Sequence, residues 1–247
     1  MSEVLILGMV RNAGMSFSDK TNENLIKMYK YCEQVDEYVD YVDFQKRIED
    51  YCKVTKSNVR MYSPFFFYQG LINQYKGTRF KVNEYFTDLG KAYAKSLIVA
   101  RATDNEKVLK KAKKISKDIL SCGMYTRKKM NQCDYYFDFL EMCLSYGKTN
   151  IVEFNYMVYC KEVICAEDYV STCANMINEL RNGEKELIFK QDRVSKTGEN
   201  VREIFPDNTY NYTRNLLVEC GLIEEQNGTC CIPADKVEIV KDLLNKE

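Results

Sequence analysis

Two heptapeptides, KSNVRMY at 56–62 and TYNYTRN at 209–215, place asparagine and arginine a few positions apart in segments with helical spacing of apolar residues. These side chains make paired hydrogen bonds with the edges of adenine and guanine, and at the start of a helix in the major groove they reach the bases. Asn58 and Arg60 in the first stretch, and Asn211, Arg214 and Asn215 in the second, are therefore the residues expected to contact bases. Surface asparagine and arginine are also common, so residue type alone assigns no function.

Groups suited to phosphate lie close by in the chain. Lys56 and Tyr210 sit at the starts of the two helices, and Lys76 and Arg79 follow the first. Between Lys107 and Lys129 there are nine basic residues and one acidic residue, Asp118. Lys110, Lys113, Lys114 and Lys117 recur at helical spacing, as a phosphate-tracking face requires. The same lysines also suit a solvated helix face balanced by the acidic region 33–50. Tyr62, Tyr68, Tyr210 and Tyr212 either fill cores with a hydrogen-bonding tip or touch sugar and phosphate.

Much other chemistry is excluded. The chain has no histidine, which removes Ser-His-Asp and Cys-His catalysis and every mixed Cys/His zinc site. The 11 cysteines contain no Cys-x-x-Cys pair and read as reduced thiols of a cytoplasmic protein. No aspartate or glutamate stands two positions before any lysine, so the acid-x-lysine pattern of common magnesium nucleases is missing. No phosphate-binding glycine loop or dinucleotide fingerprint occurs. No catalytic residue, metal or cofactor is assigned, although a composite site built from scattered acids stays open. The formal net charge is zero, with 36 residues of each sign, so only the distribution of charge bears on nucleic acid.

The elements that must position these groups read as mainly α with small β-hairpins. MSEVLILGMVRNAG has an apolar run too short for a membrane span and no basic start, and reads as an N-terminal strand or short helix. Helices are expected over 23–35, 42–54, 57–69 (broken into two pieces if Pro64 falls late), 104–122, 134–146, 150–159, 166–180, 210–220 and 235–244. A basic turn follows 122, and 181–200 reads as a polar linker or exposed loop.

GLINQYKGT at 70–78 is echoed by GLIEEQNGT at 221–229. In each copy the first glycine suits a left-handed helix cap, Leu-Ile begins a strand, and the second glycine suits a tight hairpin turn. Phe80 and Val82 in the first copy and Cys231 in the second are expected on the core side. Helices followed by such a hairpin describe tandem winged helix-turn-helix modules joined by a helical, lysine-rich region. The segments are 1–100, a connector at 101–180, and 181–247; a hairpin-capped helical scaffold without nucleic acid fits the same pattern. YYFDFLEMCLSYGKTNIVEFNYMVY at 135–159 forms a further helix-turn-helix candidate without an evident hairpin.

The two GLI-x4-GT stretches, FTDLGKAYA at 86–94 and FLEMCLSYGKTNIVEFNYMV at 139–158 resemble the target-recognition portion of restriction endonucleases that read an asymmetric site and cut beside it. The likeness spans roughly 42–244. It implies specific binding of double-stranded DNA by a monomer, with cleavage supplied by a nuclease domain or subunit and no membrane partner. A winged-helix transcription regulator that dimerises on a palindrome is the alternative.

Overall fold

The computed structural model describes residues 3–7, 15–73, 79–132, 135–189, 193–194, 200–201 and 207–245. Its contacts divide the chain into two compact units, Met15–Cys133 with Glu219–Gly221, and Met1–Gly14 with Asp134–Val218 and Leu222–Glu247. The fold is mainly helical with small sheets. Among the described residues no helix is long and apolar enough to cross a membrane.

The N-terminal apolar run forms strand β1 (Glu3–Leu7). The first unit starts with α1 (Asp19–Gln34), earlier than the apolar periodicity indicates, because the Ser18 side chain caps it by accepting from the Thr21 amide at 3.2 Å. Leu25, Met28, Tyr29 and Cys32 lie on its buried face. A two-residue strand, β2 (Tyr38–Val39), leads into α2 (Tyr41–Cys52), which ends with Lys53 in the left-handed conformation. Helix α3 (Lys56–Tyr68) follows after a three-residue turn, 53–55. It is one continuous helix despite Pro64. The proline removes a single helical hydrogen bond, and burial of Val59, Tyr62, Phe65 and Phe66 around it holds the axis.

Gly70 closes α3 as expected: its φ is 70° and the Leu71 amide donates to the Phe66 carbonyl at 2.9 Å. The hairpin expected after it takes a different form. Ile72 makes a single bridge to Phe86, while β3 (Phe80–Lys81) pairs antiparallel with β2, in register Tyr38↔Lys81 and Val39↔Phe80. The turn at 74–78, with Lys76, lies outside the described residues. Val82 is fully buried and Phe80 is half-buried. Two helices complete the unit, α4 (Asp88–Ala102) and α5 (Glu106–Lys129). Helix α5 runs on through the segment read as a basic turn. Gly123 allows it to pass against Gln69, and Arg127 in its last turn is buried rather than solvated.

The second unit contains α6 (Tyr136–Tyr146), the two-residue strand β4 (Thr149–Asn150) and α7 (Ile151–Glu162). Asn150 and Glu153 form a reciprocal capping box at the start of α7. The helix expected over 166–180 is two, α8 (Tyr169–Thr172) and α9 (Ala174–Arg181), parted at Cys173. The passage read as a linker contains β5 (Lys185–Phe189), which pairs in parallel with β1 from Glu3↔Lys185 to Leu7↔Phe189. Leu187 and Phe189 alternate into the core, a signal that the polar residues flanking this short strand obscured. Strands β6 (Arg193–Val194) and β7 (Asn200–Val201) pair antiparallel.

Helix α10 (Asp207–Glu219), β8 (Glu224–Gln226), β9 (Thr229–Cys231) and α11 (Val237–Leu244) end the chain. The second copy of the repeat behaves as its sequence indicates. Gly221 has φ 67°, Leu222 donates to the Leu217 carbonyl at 3.0 Å, and Asn227 and Gly228 turn the hairpin at φ 51° and 75°. Two details differ: the strand begins at Glu224, with Leu222 and Ile223 buried ahead of it, and this register buries Cys230 fully and Cys231 only partly. The hairpin gains a third strand, β4, through Thr149↔Cys230 and Asn150↔Thr229. The segment 135–159, read as a connector, therefore shares a sheet with the C-terminal hairpin.

Candidate nucleic-acid interface

In the first unit, α2, the turn at 53–55 and α3 carry the first candidate stretch. Thr55 caps α3, its side chain accepting from the Asn58 amide at 3.3 Å. Lys56 and Arg60 are exposed and Asn58 is half-buried. Met61, which no hydrogen-bond argument singled out, is 51% exposed beside Arg60. Tyr62 points the other way: it is buried and accepts from Asn24 Nδ2 at 3.1 Å, so it serves the core and not a ligand. Arg79, ahead of β3, is exposed.

The lysines of α5 from Lys107 to Lys117 are exposed, and Ala112, Ser116, Ile119 and Leu120 form the opposite, buried side. They are not equivalent. Lys110 lies 3.8 Å from Glu106 across one turn, a contact of small energetic weight at such exposure. Lys113 and Lys117 line a hollow of about 460 Å³ with Arg101, Asp19 and Glu219. Lys114 is exposed on the outer face of the helix.

Burial raises the Glu219 carboxyl above its ordinary range, and Lys117 and Lys113 oppose that shift. A carboxyl with a higher pKa when folded binds more protons in the folded state, so stability falls as pH rises from the unfolded pKa through the folded one. Glu219→Gln is therefore expected to raise the unfolding midpoint at pH 7. The gain should vanish at about pH 3, where the Glu219 carboxyl is protonated in the folded and unfolded chain alike. Paired thermal melts at the two pH values measure it, and an equal gain at both would assign the effect to packing instead.

In the second unit, α10 carries the other stretch. Asn211 and Asn215, four residues apart, are both half-buried on the same side, and Tyr212 beside them is 39% exposed. Arg214 is committed to the protein. It pairs with Glu225 at 3.1 Å, donates through Nε and Nη2 to Asn215 Oδ1, and lies over the Tyr210 ring at 5.4 Å. Reading a base would require giving up those contacts. Tyr210, expected at the DNA backbone, is only 3% exposed. Its ring packs 5.7 Å from Phe139 and 5.8 Å from Phe154, which makes it a core residue.

The base of this unit is fixed by a group the sequence did not mark. Arg181 donates to both carboxylate oxygens of buried Glu153, at 2.7 and 3.2 Å, and to the carbonyls of Tyr146 and Lys148, at 3.1 and 2.6 Å. It thereby ties the end of α6 and the approach to β4 to the first turn of α7. Spacing offered only half a signal, the Asn150–Glu153 capping pattern; Arg181 is too distant in sequence to be read with it.

The two units share an order of elements: helix, two-residue strand, helix, then a further helix closed by Gly-Leu-Ile, a strand paired with the first, and a following helix. They differ between the second and third helices, where the first unit has the turn at 53–55 and the second has residues 163–206. No protein-family model, curated protein or solved structure matches this chain.

Proposed function

We propose that the protein binds double-stranded DNA in a sequence-specific manner through two winged helix-turn-helix modules, as the recognition part of a restriction system whose cleavage is carried out by another domain or chain. The observation that carries this reading is the shared order of elements, with β2–β3 and β4–β9 pairing in the positions where a winged helix joins its first strand to its wing. In that arrangement α3 and α10 are the helices that enter the groove. Arg60 on α3 and Asn211 with Asn215 on α10 read bases, while Lys56, Arg79, Lys110 and Lys114 contact phosphates. Lys113 and Lys117 add positive potential at the edge of the same helix. The differing faces of α3 and α10 favour an asymmetric site over the palindrome of a dimeric regulator.

Selection from a randomised duplex pool at several salt concentrations tests the reading. An enriched asymmetric motif is expected; an enriched palindrome favours the regulator, and no retention at low salt defeats both. Arg60→Ala is expected to relax preference at one position, with a loss of about 1–3 kcal/mol at that base pair. Lys110→Ala with Lys114→Ala should weaken all sequences alike and reduce the salt slope by about 2. An unchanged motif for Arg60→Ala would remove α3 from the base-reading role.

A further inference from the structure

We propose that the groove between α4 and α5 is a docking site for an amphipathic helix with acidic flanks, supplied by a partner protein. The groove has a volume of about 280 Å³. Its floor is apolar: Ala92 and Val99 stand two turns apart on α4, and Val108 and Ile115 stand two turns apart on α5. Val99, Val108 and Ile115 are 44%, 41% and 41% exposed, a large fraction for branched aliphatic side chains grouped in one place. Two adjacent helices that present apolar residues at seven-residue spacing form the seat for a third helix, whose own apolar stripe fills the space between them.

Charge selects the occupant. Lys95 lines the groove from α4 and Lys111 lines it from α5, and both are exposed. A helix carrying glutamate or aspartate beside its apolar stripe gains pairing on both sides. A second copy of the same groove would bring these lysines toward each other, which disfavours self-association through this face. Lys111 lines the groove, whereas Lys113 and Lys117 line the hollow on another side of α5, and Lys114 stands one turn from Lys111. A partner seated here would leave Lys113 and Lys117 accessible.

The test uses the full chain and two labelled synthetic helices that share a leucine stripe, one flanked by glutamate and the other by lysine. Fluorescence anisotropy should show binding of the acidic helix and little of the basic one. Ile115→Glu, an exposed change compatible with helix, should weaken the acidic helix by about tenfold or more. Lys95→Glu with Lys111→Glu should reverse the preference between the two helices, and circular dichroism of each variant checks that the fold is kept. Equal binding of the two helices, or binding of neither, overturns the proposal. So does a wild-type dimer in light scattering that Ile115→Glu dissociates, which would give the groove to a second copy. Competition between duplex DNA and the acidic helix, together with an equal loss of duplex binding in Ile115→Glu, would give it to nucleic acid.

Discussion

Replacing Gly90 by alanine is expected to destabilise the first unit by about 3 kcal/mol or more, beyond the usual range for one added methyl group. A Cβ built at Gly90 lies 1.9 Å from the Leu71 carbonyl oxygen and 2.8 Å from its carbon. Neither side can yield cheaply. The Thr87 side chain accepts from the Gly90 amide at 3.0 Å and donates to the Gly70 carbonyl at 2.7 Å, and the Thr87 amide donates to Leu71 O at 3.1 Å. These bonds clamp the first turn of α4 onto the chain leaving α3. Alanine gains about 1 kcal/mol over glycine in helix propensity, which the backbone clash exceeds. Urea unfolding followed by circular dichroism measures the outcome, with Ala92→Gly as a propensity control at an exposed position of the same helix. A Gly90→Ala protein as stable as wild type would show that α4 and the Leu71 segment can part without cost.

Arg127→Leu is expected to cost about 3 kcal/mol, because it strands a buried acceptor and removes a buried packed cation. Arg127 is 2% exposed; its Nε donates to Gln69 Oε1 at 2.7 Å, its Nη2 donates to the Phe65 carbonyl at 3.4 Å, and its guanidinium lies over the Phe65 ring at 5.1 Å. Gln69 is itself fully buried and donates to the Leu120 carbonyl at 2.7 Å. The network anchors the C-terminal end of α3 to α5. Lysine should not rescue it, since an ammonium cannot reproduce the planar fork that meets Gln69 and the Phe65 carbonyl together. Thermal melts of Arg127→Leu and Arg127→Lys measure this, and full stability in the lysine variant would reduce the interaction to its charge. Weakened duplex binding should accompany the loss if α3 is the reading helix.

Both residues show where sequence reasoning stopped. Arg127 belonged to a run of three basic residues and read as part of a basic turn; only the approach of Gln69, distant in sequence, makes it core. Gly90 sat unremarked within FTDLGKAYA, because its need for glycine arises from a carbonyl on another segment. Tyr210 and Arg214 carried the right chemistry for nucleic acid, but their direction depends on Phe139, Phe154 and Glu225. The sequence places Arg60, Asn211 and Asn215 on helices; the fold leaves Arg60 exposed and the two asparagines half-buried.

Helical periodicity and the left-handed glycines at 70 and 221 were determined by the sequence alone, because each arises within a few residues of chain. The repeat of Gly-Leu-Ile likewise marked the same helix ending in both copies. The partners of the short strands were decided only by tertiary structure: β2 with β3, β4 with β9, and β1 with β5. Strands of two to five residues have little local preference, and their pairing energy comes from segments brought together only when the cores close. The same closure selects which cations turn inward and which remain in solvent.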